Sequence, residues 1–169
     1  LLAVAPPRFT LVGYSLGGRL ALQVALAAPE RLERLVLVST SAGIEDAAER
    51  QARLDRDVAL AGRIEVESIA QFAQSWLSGP LFRDDSAKIN RAARKEIEKN
   101  SPDGLACALR SLSVGRMEPL WGRLAEIAIP TTVVAGELDQ RYLSLAQRLS
   151  AEIVDSELAI IERAGHALP

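Results

Sequence analysis

The sequence contains very few of the residues that form disulfide frameworks and metal sites. Among its 169 residues there is one cysteine, Cys107, and one histidine, His166. A single cysteine cannot form an internal disulfide, and these two residues supply no ligand cluster for a metal ion. We therefore expect no bound metal and no organic cofactor. The scarcity of cysteine also favours a reducing compartment, so the predicted location is cytoplasmic.

Charge of one sign and long apolar runs are equally scarce. The 20 basic and 22 acidic residues leave a formal net charge of −2, whereas a nucleic-acid partner would require a strong basic excess. No apolar run approaches the roughly 20 residues needed to cross a bilayer. A hydrophobic share of 49% and a charged share of 25% are typical of a globular domain. No pattern in the sequence predicts an oligomeric state.

Both ends of the sequence are abrupt. It does not begin with Met, its first segment LLAVAPPRF lacks the basic region of a signal peptide, and it ends three residues after His166. We expect it to be part of a longer protein.

Apolar runs and helical segments alternate in the first and last parts of the sequence. Phe9–Gly13 and Leu35–Ser39 predict buried strands, and the Ala- and Leu-rich segment Leu16–Ala28 between them predicts a mostly buried helix. Such a strand–helix–strand unit predicts parallel strands. Further strands are predicted at Thr131–Ala135 and Glu157–Ile161. The remaining helices predicted in these parts are Leu120–Ile127 and Tyr142–Leu149.

The middle of the sequence is rich in charge and shows only helical spacing. Four segments predict helices: Glu45–Ala61, Glu65–Leu77, Ser86–Lys99 and Pro102–Val114. One of the breaks between them is expected at Gly62. An all-helical block inserted between strand–helix units is typical of a cap over a site. We predict an α/β core from residues 1–43 and 119–169 and a helical cap from residues 44–118.

The most specific motif is GYSLG at residues 13–17, which matches G-x-S-x-G. Between a strand and a helix this motif forms a tight turn that exposes the hydroxyl of a strained nucleophile, here Ser15. We expect Gly13 and Gly17 to be small because the two backbones pass closely. The helix amino terminus offers free N–H groups to a developing oxyanion, and the Leu16 N–H is one expected donor. The alternative is a plain turn with an exposed serine.

A serine hydroxyl needs a base in order to act, and the chain offers only His166. In proteins with this motif the partners follow the serine in the order acid, then histidine. The loop that directly follows the strand TTVVA contains Asp139, the natural acid, and Glu137, its rival. Asp155 precedes a predicted strand rather than following one. The alternative for His166 is a surface or core residue without a catalytic role.

Several longer strings make a family resemblance specific. The sequence resembles the α/β-hydrolase superfamily over its whole length and, more narrowly, the 2-succinyl-6-hydroxy-2,4-cyclohexadiene-1-carboxylate (SHCHC) synthases of menaquinone biosynthesis. GYSLGG is shared by many hydrolases, whereas the later strings are more specific. The strings are GYSLGGRLAL (13–22), ERQARLDRDVAL (49–60), FAQSWLSGPLF (72–82), GLACALRSLSVGRMEPLW (104–121) and AGELDQRYLSLAQRL (135–149).

The resemblance implies an α/β-hydrolase fold, a mostly parallel sheet with an inserted helical cap, from which this chain would lack the N-terminal strands and the C-terminal helix. It implies a lyase that removes a proton from 2-succinyl-5-enolpyruvyl-6-hydroxy-3-cyclohexene-1-carboxylate, eliminates pyruvate and leaves SHCHC. Ser15 would act as the base, or relay the proton to His166, without an acyl-enzyme. The expected partner is therefore a small-molecule carboxylate substrate.

Binding of carboxylates favours arginine, which can bind them with two parallel hydrogen bonds. Arg19 lies one helical turn after the nucleophile and can share its face. By resemblance, Arg53 matches a position that binds a substrate carboxylate, Arg94 lies near a further expected arginine, and Trp76 matches a tryptophan that could wall the pocket. Tyr14 could contact substrate. The alternatives are surface ion pairs for the arginines and packing for the aromatic residues.

One departure from the family pattern and two competing functions remain open. The string at residues 113–119 keeps only part of the Thr-Gly-x-Gln-Pro pattern that the family tends to have. The resemblance therefore does not by itself predict a substrate contact in this string. One competing function is a serine hydrolase acting on an ester, thioester or C–C bond. The other is a non-catalytic α/β-hydrolase-like binding protein, which the retained triad residues disfavour.

Overall fold

The computed structural model describes residues 1–168, which form two compact units. An α/β unit consists of residues 1–42 and 119–168, and a helical unit consists of residues 43–118. The α-helices are α1 Leu16–Ala27, α2 Ala47–Ile64, α3 Ile69–Leu77, α4 Ala87–Ile97, α5 Pro102–Leu112 and α6 Gln140–Glu152. Action of the helical unit as a cap stays a prediction.

The α/β unit is built on a parallel sheet of four strands. They are β1 Phe9–Tyr14, β2 Leu32–Val38, β3 Thr131–Gly136 and β4 Ser156–Ile161. They lie side by side in this order, and every neighbouring pair is parallel. The predicted parallel strands are therefore confirmed. The carboxyl ends of all four strands lie at one edge of the sheet, which is where open α/β sheets bind their ligands.

The core of the α/β unit lies where α1 and α6 pack against the two inner strands. β2 and β3 contribute Leu35, Leu37 and Val133, each at most 1% exposed. Burying a side chain of this size contributes about 1.5–3 kcal/mol. Only Gln23 and Ala27 of α1 are exposed, which agrees with the predicted mostly buried helix. The same core also contains Leu22, Leu124, Ile127 and Leu149.

The two outer strands of the sheet are less buried than the two inner strands. Phe9–Gly13 and Glu157–Ile161 do lie within strands, but Gly13 is the one buried residue of β1, and the described residues of β4 include none. The prediction of burial is therefore wrong for β1, which forms one edge of the described sheet, whereas β4, at the other edge, was predicted only as a strand. Each is covered by a neighbouring strand on one side only.

Side-chain caps define where the helices of the helical unit begin. In α2 to α5 the residue before the first turn accepts a hydrogen bond from a backbone N–H of that turn, which satisfies a donor that the helix itself cannot. The capping residues are Asp46, Ser68, Ser86 and Ser101. The predicted break at Gly62 is wrong, because α2 continues to Ile64. A glycine inside a helix costs only about 1 kcal/mol, which the surrounding helix tolerates.

Other boundaries differ by a turn or less. The short helix predicted at Leu120–Ile127 is a 3₁₀ helix at Trp121–Glu126, and α6 begins at Gln140 instead of Tyr142. The earlier start of α6 follows from Asp139, whose side chain caps the helix. No helix within residues 1–168 is both long and apolar enough to span a membrane.

Candidate active site

Ser15 lies in a strained turn between β1 and α1. Its φ is 49°, a region that costs a non-glycine residue about 1–3 kcal/mol. Three hydrogen bonds hold this conformation. The Ser15 N–H donates to Val38 O at 2.9 Å, and the Ser15 carbonyl accepts from Thr40 Oγ1 at 2.6 Å and from the Gly18 N–H at 3.1 Å. The turn is therefore fixed from β2 as well as from its own helix.

Two glycines allow the strand and the helix to approach each other. A Cβ at Gly13 would lie 2.6 Å from the Gly17 oxygen and the Gly18 Cα, so no larger residue fits. The prediction for Gly17 is wrong, because nothing lies within 4 Å of a Cβ built there. The second position that must be small is Gly18, where a Cβ would meet the side chain of Thr40 at 2.5–2.6 Å.

The structure brings Ser15, His166 and Asp139 into one hydrogen-bonded chain. Ser15 Oγ lies 3.2 Å from His166 Nε2, and His166 Nδ1 lies 2.6 Å from Asp139 Oδ2. The imidazole side chain is 1% exposed and the carboxylate 9% exposed. With the proton on Nδ1 donated to Asp139, Nε2 has a lone pair available to the serine hydroxyl. This is the arrangement that activates a serine nucleophile or base.

Geometry distinguishes the two candidate acids. Asp139 contacts the histidine, and its other oxygen accepts the Tyr142 N–H at 3.2 Å. Glu137 is exposed, and its Oε2 accepts the backbone N–H of Arg163 at 2.8 Å. Its carboxylate therefore holds the turn after β4 instead of the imidazole. Assignment of the catalytic acid role to Asp139 stays a prediction.

The loops that follow β3 and β4 are pressed together. The Leu138 N–H donates to Ala164 O at 2.9 Å. A Cβ on Gly136 would lie 2.8 Å from the carbonyl carbon of Ala164 and still closer to the carbonyl oxygens of Ala164 and Gly165. The loop with the acid and the loop with the histidine therefore form one tightly packed pair, in which Gly136 provides the space.

Two tyrosine rings contact the imidazole of His166. The centroid of the Tyr142 ring lies 4.4 Å from that of His166, and the Tyr14 ring lies 5.5 Å away. Tyr142 is buried, whereas Tyr14 is 42% exposed. Tyr14 therefore packs beside the histidine while part of its ring faces solvent, and its predicted contact with substrate stays a prediction.

Arg19 is a buried residue of α1. It is 7% exposed, its Nε donates to Ser41 Oγ at 3.3 Å, and its Nη2 donates to the Tyr142 hydroxyl at 3.4 Å. The interpretation of Arg19 as a surface residue is therefore wrong. A guanidinium that is removed from water costs free energy unless it is well paired, so a buried arginine one turn after Ser15 favours an electrostatic role.

Leu16 is the first residue of α1. Its backbone N–H is one of the donors that have no acceptor within the helix. It lies at the positive end of the helix dipole, where an anion is stabilised. Its predicted role as an oxyanion donor agrees with this position and stays a prediction.

The predicted arginines of the helical unit differ in their surroundings. Arg53 pairs with Asp57 one turn along α2, at 2.9 Å, and 31% of its side chain is exposed. Arg94 pairs with Glu98 at 2.7 Å and is more exposed, at 45%. An exposed pair of this kind contributes little to stability, about 0.3–0.5 kcal/mol. Substrate binding by either residue stays a prediction.

Trp76 belongs to an aromatic cluster of the helical unit. Its ring stacks on Phe72, with centroids 5.8 Å apart, and is tilted against Phe82 at 5.9 Å. Phe72 and Phe82 are buried, and Trp76 is partly exposed. These contacts favour a packing role for one face of Trp76. A role as a pocket wall stays a prediction.

Sequence reasoning missed the polar segment Ser39–Ser41. It follows β2 directly, and it supplies the Thr40 hydroxyl that holds the Ser15 carbonyl and the Ser41 hydroxyl that binds Arg19. The available signal was three polar residues at the end of a buried strand. That strand lies next to β1, so its carboxyl end had to lie beside the nucleophile.

A match over the whole chain decides the classification. The α/β hydrolase fold family matches residues 1–169. The chain belongs to this family. Membership in the α/β-hydrolase fold family, together with the parallel sheet, confirms the predicted fold class. Among the described residues there is no group of three or more side chains able to hold a metal ion.

Two similar proteins have names that match the narrower family that the sequence resembles. The chain is 32% identical over 160 residues to a 2-succinyl-6-hydroxy-2,4-cyclohexadiene-1-carboxylate synthase of Serratia proteamaculans, covering 94% of this chain and 61% of the relative. It is similar to the structure of MenH from S. aureus at 35% identity with a TM-score of 0.89, covering 95% of this chain and 61% of that one. The predicted resemblance is confirmed.

A protein described as a hydrolase is also similar. The crystal structure of a hydrolase from Pseudomonas aeruginosa PA01 matches at 28% identity with a TM-score of 0.71, covering 95% of this chain and 59% of that one. The chain thus spans about three fifths of the length of these relatives.

Proposed function

We propose that the protein is a lyase of menaquinone biosynthesis. It would convert 2-succinyl-5-enolpyruvyl-6-hydroxy-3-cyclohexene-1-carboxylate to SHCHC and pyruvate. The observation that supports this most is the hydrogen-bonded chain from Ser15 Oγ through His166 to Asp139, at 3.2 and 2.6 Å, in a chain similar to a synthase of that name. We also propose a cytoplasmic location, because a single cysteine favours a reducing compartment.

The proposed reaction begins with a proton transfer. His166 Nε2 draws the proton of the Ser15 hydroxyl, and the serine oxygen takes a proton from a substrate carbon. The electron pair left on carbon forms a new ring double bond, the existing ring double bond shifts by one position, and the C–O bond to the enolpyruvyl group breaks. The enolpyruvate that leaves takes up a proton and becomes pyruvate. Asp139 stabilises the imidazolium that forms when the proton reaches His166.

The substrate has three carboxylates, so the proposal requires fixed cations. Arg19, buried one turn after the nucleophile, is the candidate in the α/β unit. Arg53 and Arg94 are the candidates in the helical unit, which we propose acts as a cap. Trp76 and Tyr14 would contact the substrate ring. An arginine that binds a carboxylate with two parallel hydrogen bonds contributes both affinity and orientation.

Pyruvate release from the synthetic substrate by the intact protein tests the proposal. Ser15→Ala should lower kcat by at least about 10³-fold, because it removes the group that takes the proton. Ser144→Ala, which alters an exposed serine of α6, is the matched control and should retain full activity. Arg53→Ala should raise KM, with a loss of about 1.5–3 kcal/mol of binding free energy. Retention of most activity by Ser15→Ala would overturn the proposed mechanism.

A serine hydrolase acting on an ester, thioester or C–C bond is the second candidate function. The similarity to the Pseudomonas aeruginosa hydrolase favours it, and the Ser15–His166–Asp139 geometry serves both reactions. The two functions differ in a covalent intermediate, since a hydrolase forms an acyl-enzyme on its serine. Rapid turnover of a neutral aryl ester, with an acyl adduct on Ser15 detected by mass spectrometry and no pyruvate release, would favour the hydrolase. A non-catalytic binding protein would show neither activity, and a fluorophosphonate probe would not label its Ser15.

A further inference from the structure

The helical unit contains a buried aspartate in the middle of a helix with a charged surface. Asp57 of α2 is 5% exposed, although most of its neighbours along the helix are exposed. A buried carboxylate is costly unless a cation or several donors accompany it. The contacts of Asp57 therefore indicate what this residue is for.

Asp57 binds the guanidinium of Arg53 through a single nitrogen. Arg53 Nε donates to both carboxylate oxygens, at 2.9 Å to Oδ1 and 3.0 Å to Oδ2. A guanidinium is planar, so fixing Nε against a carboxylate also fixes the direction of its two terminal nitrogens. Of the nitrogens of Arg53, only Nε donates a hydrogen bond to Asp57. Within the part of the chain that the structure describes, Nη1 and Nη2 of Arg53 donate no hydrogen bond.

A second element holds the same carboxylate from outside α2. Ser113, 3% exposed and just past the end of α5, donates its hydroxyl to Asp57 Oδ2 at 2.7 Å. The Gly115 N–H donates to Ser113 Oγ at 3.0 Å. A Cβ on Gly115 would lie 2.5–2.6 Å from the backbone of Arg50 and Leu54, so this turn packs directly on α2.

The geometry points to Asp57 and Ser113 as positioning residues for a carboxylate subsite on Arg53. The two terminal nitrogens of Arg53 form the subsite, and their N–H groups bind one carboxylate of the ligand with two parallel hydrogen bonds. Asp57 orients the guanidinium plane, and Ser113 orients Asp57. The inference rests on the proposed function for the choice of a carboxylate substrate. It also gives the turn at residues 113–115 a role that needs no contact with substrate.

An ordinary helix ion pair does not have these features. Arg94 and Glu98 of α4 have the same i,i+4 spacing, but their side chains are 45% and 36% exposed. Asp57, in contrast, has a 7% exposed side chain and a hydroxyl partner from another segment. An exposed pair exchanges readily with water, whereas a buried carboxylate with three hydrogen bonds keeps its arginine in one orientation.

Binding measurements on variants of the intact protein test the inference. The probe is 2-succinylbenzoate, a stable aromatic dicarboxylate, titrated by calorimetry. Arg53→Ala and Asp57→Asn should each raise its Kd by about 10- to 150-fold, the loss expected for one charge-assisted contact. Ser113→Ala should raise the Kd of the probe by a smaller factor. Ser113→Thr keeps the hydroxyl and should bind the probe with the Kd of the unaltered protein. In the turnover assay the variants that weaken binding of the probe should raise KM and leave kcat within about twofold of the unaltered protein.

The double variant separates positioning from a structural role. If Asp57 acts through Arg53, the Arg53→Ala/Asp57→Asn protein should bind the probe no more weakly than Arg53→Ala alone. Glu152→Gln, which breaks an i,i+4 pair with Arg148 on α6, is the matched control and should leave Kd unchanged. Thermal melts verify that each variant is folded.

Three results would overturn the inference: additive losses in the double variant, a lower melting temperature of Asp57→Asn with an unchanged Kd, or no binding of the probe by the unaltered protein. The proposed function fails by a different result, namely no pyruvate release by a protein that still binds the dicarboxylate through Arg53. Coupled losses of binding in such a protein would support the positioning role without the lyase activity.

Discussion

The packing at Gly136 leads to a quantitative prediction about the position of the histidine. Gly136→Ala would place a Cβ 2.8 Å from the carbonyl carbon of Ala164, and nearer still to two carbonyl oxygens in the loop that precedes His166. Carbon atoms in contact normally lie about 3.5–4.0 Å apart, so the loop must move by on the order of 1 Å. These contacts are backbone atoms, which cannot rotate away as a flexible side chain could.

The size of the effect follows from the distance between Ser15 and His166. A displacement of that size would lengthen the 3.2 Å separation of Oγ and Nε2 to about 4 Å, beyond hydrogen-bond range. Misplacing a catalytic group by this much costs about 100-fold in rate, equivalent to about 2.7 kcal/mol of activation free energy. The strain should also lower the free energy of unfolding by about 1–3 kcal/mol.

Two measurements on the intact protein examine this reasoning. The rate of Ser15 labelling by a fluorophosphonate probe reports the activation of the serine, and pyruvate release reports turnover. Gly62→Ala is the control, because nothing lies within 4 Å of a Cβ at this position, and it should stabilise α2 by about 0.5–1 kcal/mol. A Gly136→Ala protein with full labelling rate and unchanged stability would refute the argument.

Substitutions at three further positions follow from the contacts. Thr40→Val removes the hydroxyl bound to the Ser15 carbonyl and should lower the free energy of unfolding in urea by about 1–2 kcal/mol, and an unchanged midpoint would contradict this. Glu137→Ala removes the hydrogen-bond acceptor of the turn before the histidine and should slow turnover about tenfold. Glu137→Gln keeps an acceptor oxygen and should stay near full activity. A large loss of activity in Glu137→Gln would instead make Glu137 the catalytic acid. A hydrogen bond from Arg110 holds the pKa of Glu65 below its ordinary value of 4.5, so this pair stabilises the fold above that pH and the effect is lost as the pH falls through the lowered pKa. Glu65→Gln should therefore lower the Tm slightly at pH 7 and not in strong acid, and equal shifts at both pH values would count against it.

The site could be located from the sequence because its members follow strands. Ser15, Asp139 and His166 each come after an apolar run, and the structure brings all three to one edge of the parallel sheet. Parallel strands place their carboxyl ends together, so sequence order alone predicts convergence. The resemblance added the family and the fold class, both of which are confirmed.

Close packing could not be predicted in the same way. The sequence contains GYSLGG, but the requirement for a small residue at Gly18 instead of Gly17 depends on Thr40, a residue of another strand's loop. The choice between Asp139 and Glu137 depends on which carboxylate faces the imidazole and which faces a backbone N–H. Burial of β1 and β4 depends on strand order, which apolar content does not specify.

The contact between His166 and its two neighbouring tyrosines makes the imidazole a built-in spectroscopic probe. Residues 1–169 contain no other histidine, and the ring lies within 4.4 Å of one aromatic centroid and 5.5 Å of another. Ring currents from Tyr142 and Tyr14 shift the proton resonances of the imidazole. The size of this shift changes when the distance or the tilt between the rings changes. A ligand that moved either tyrosine would thus be visible in the magnetic resonance spectrum even when no reaction takes place.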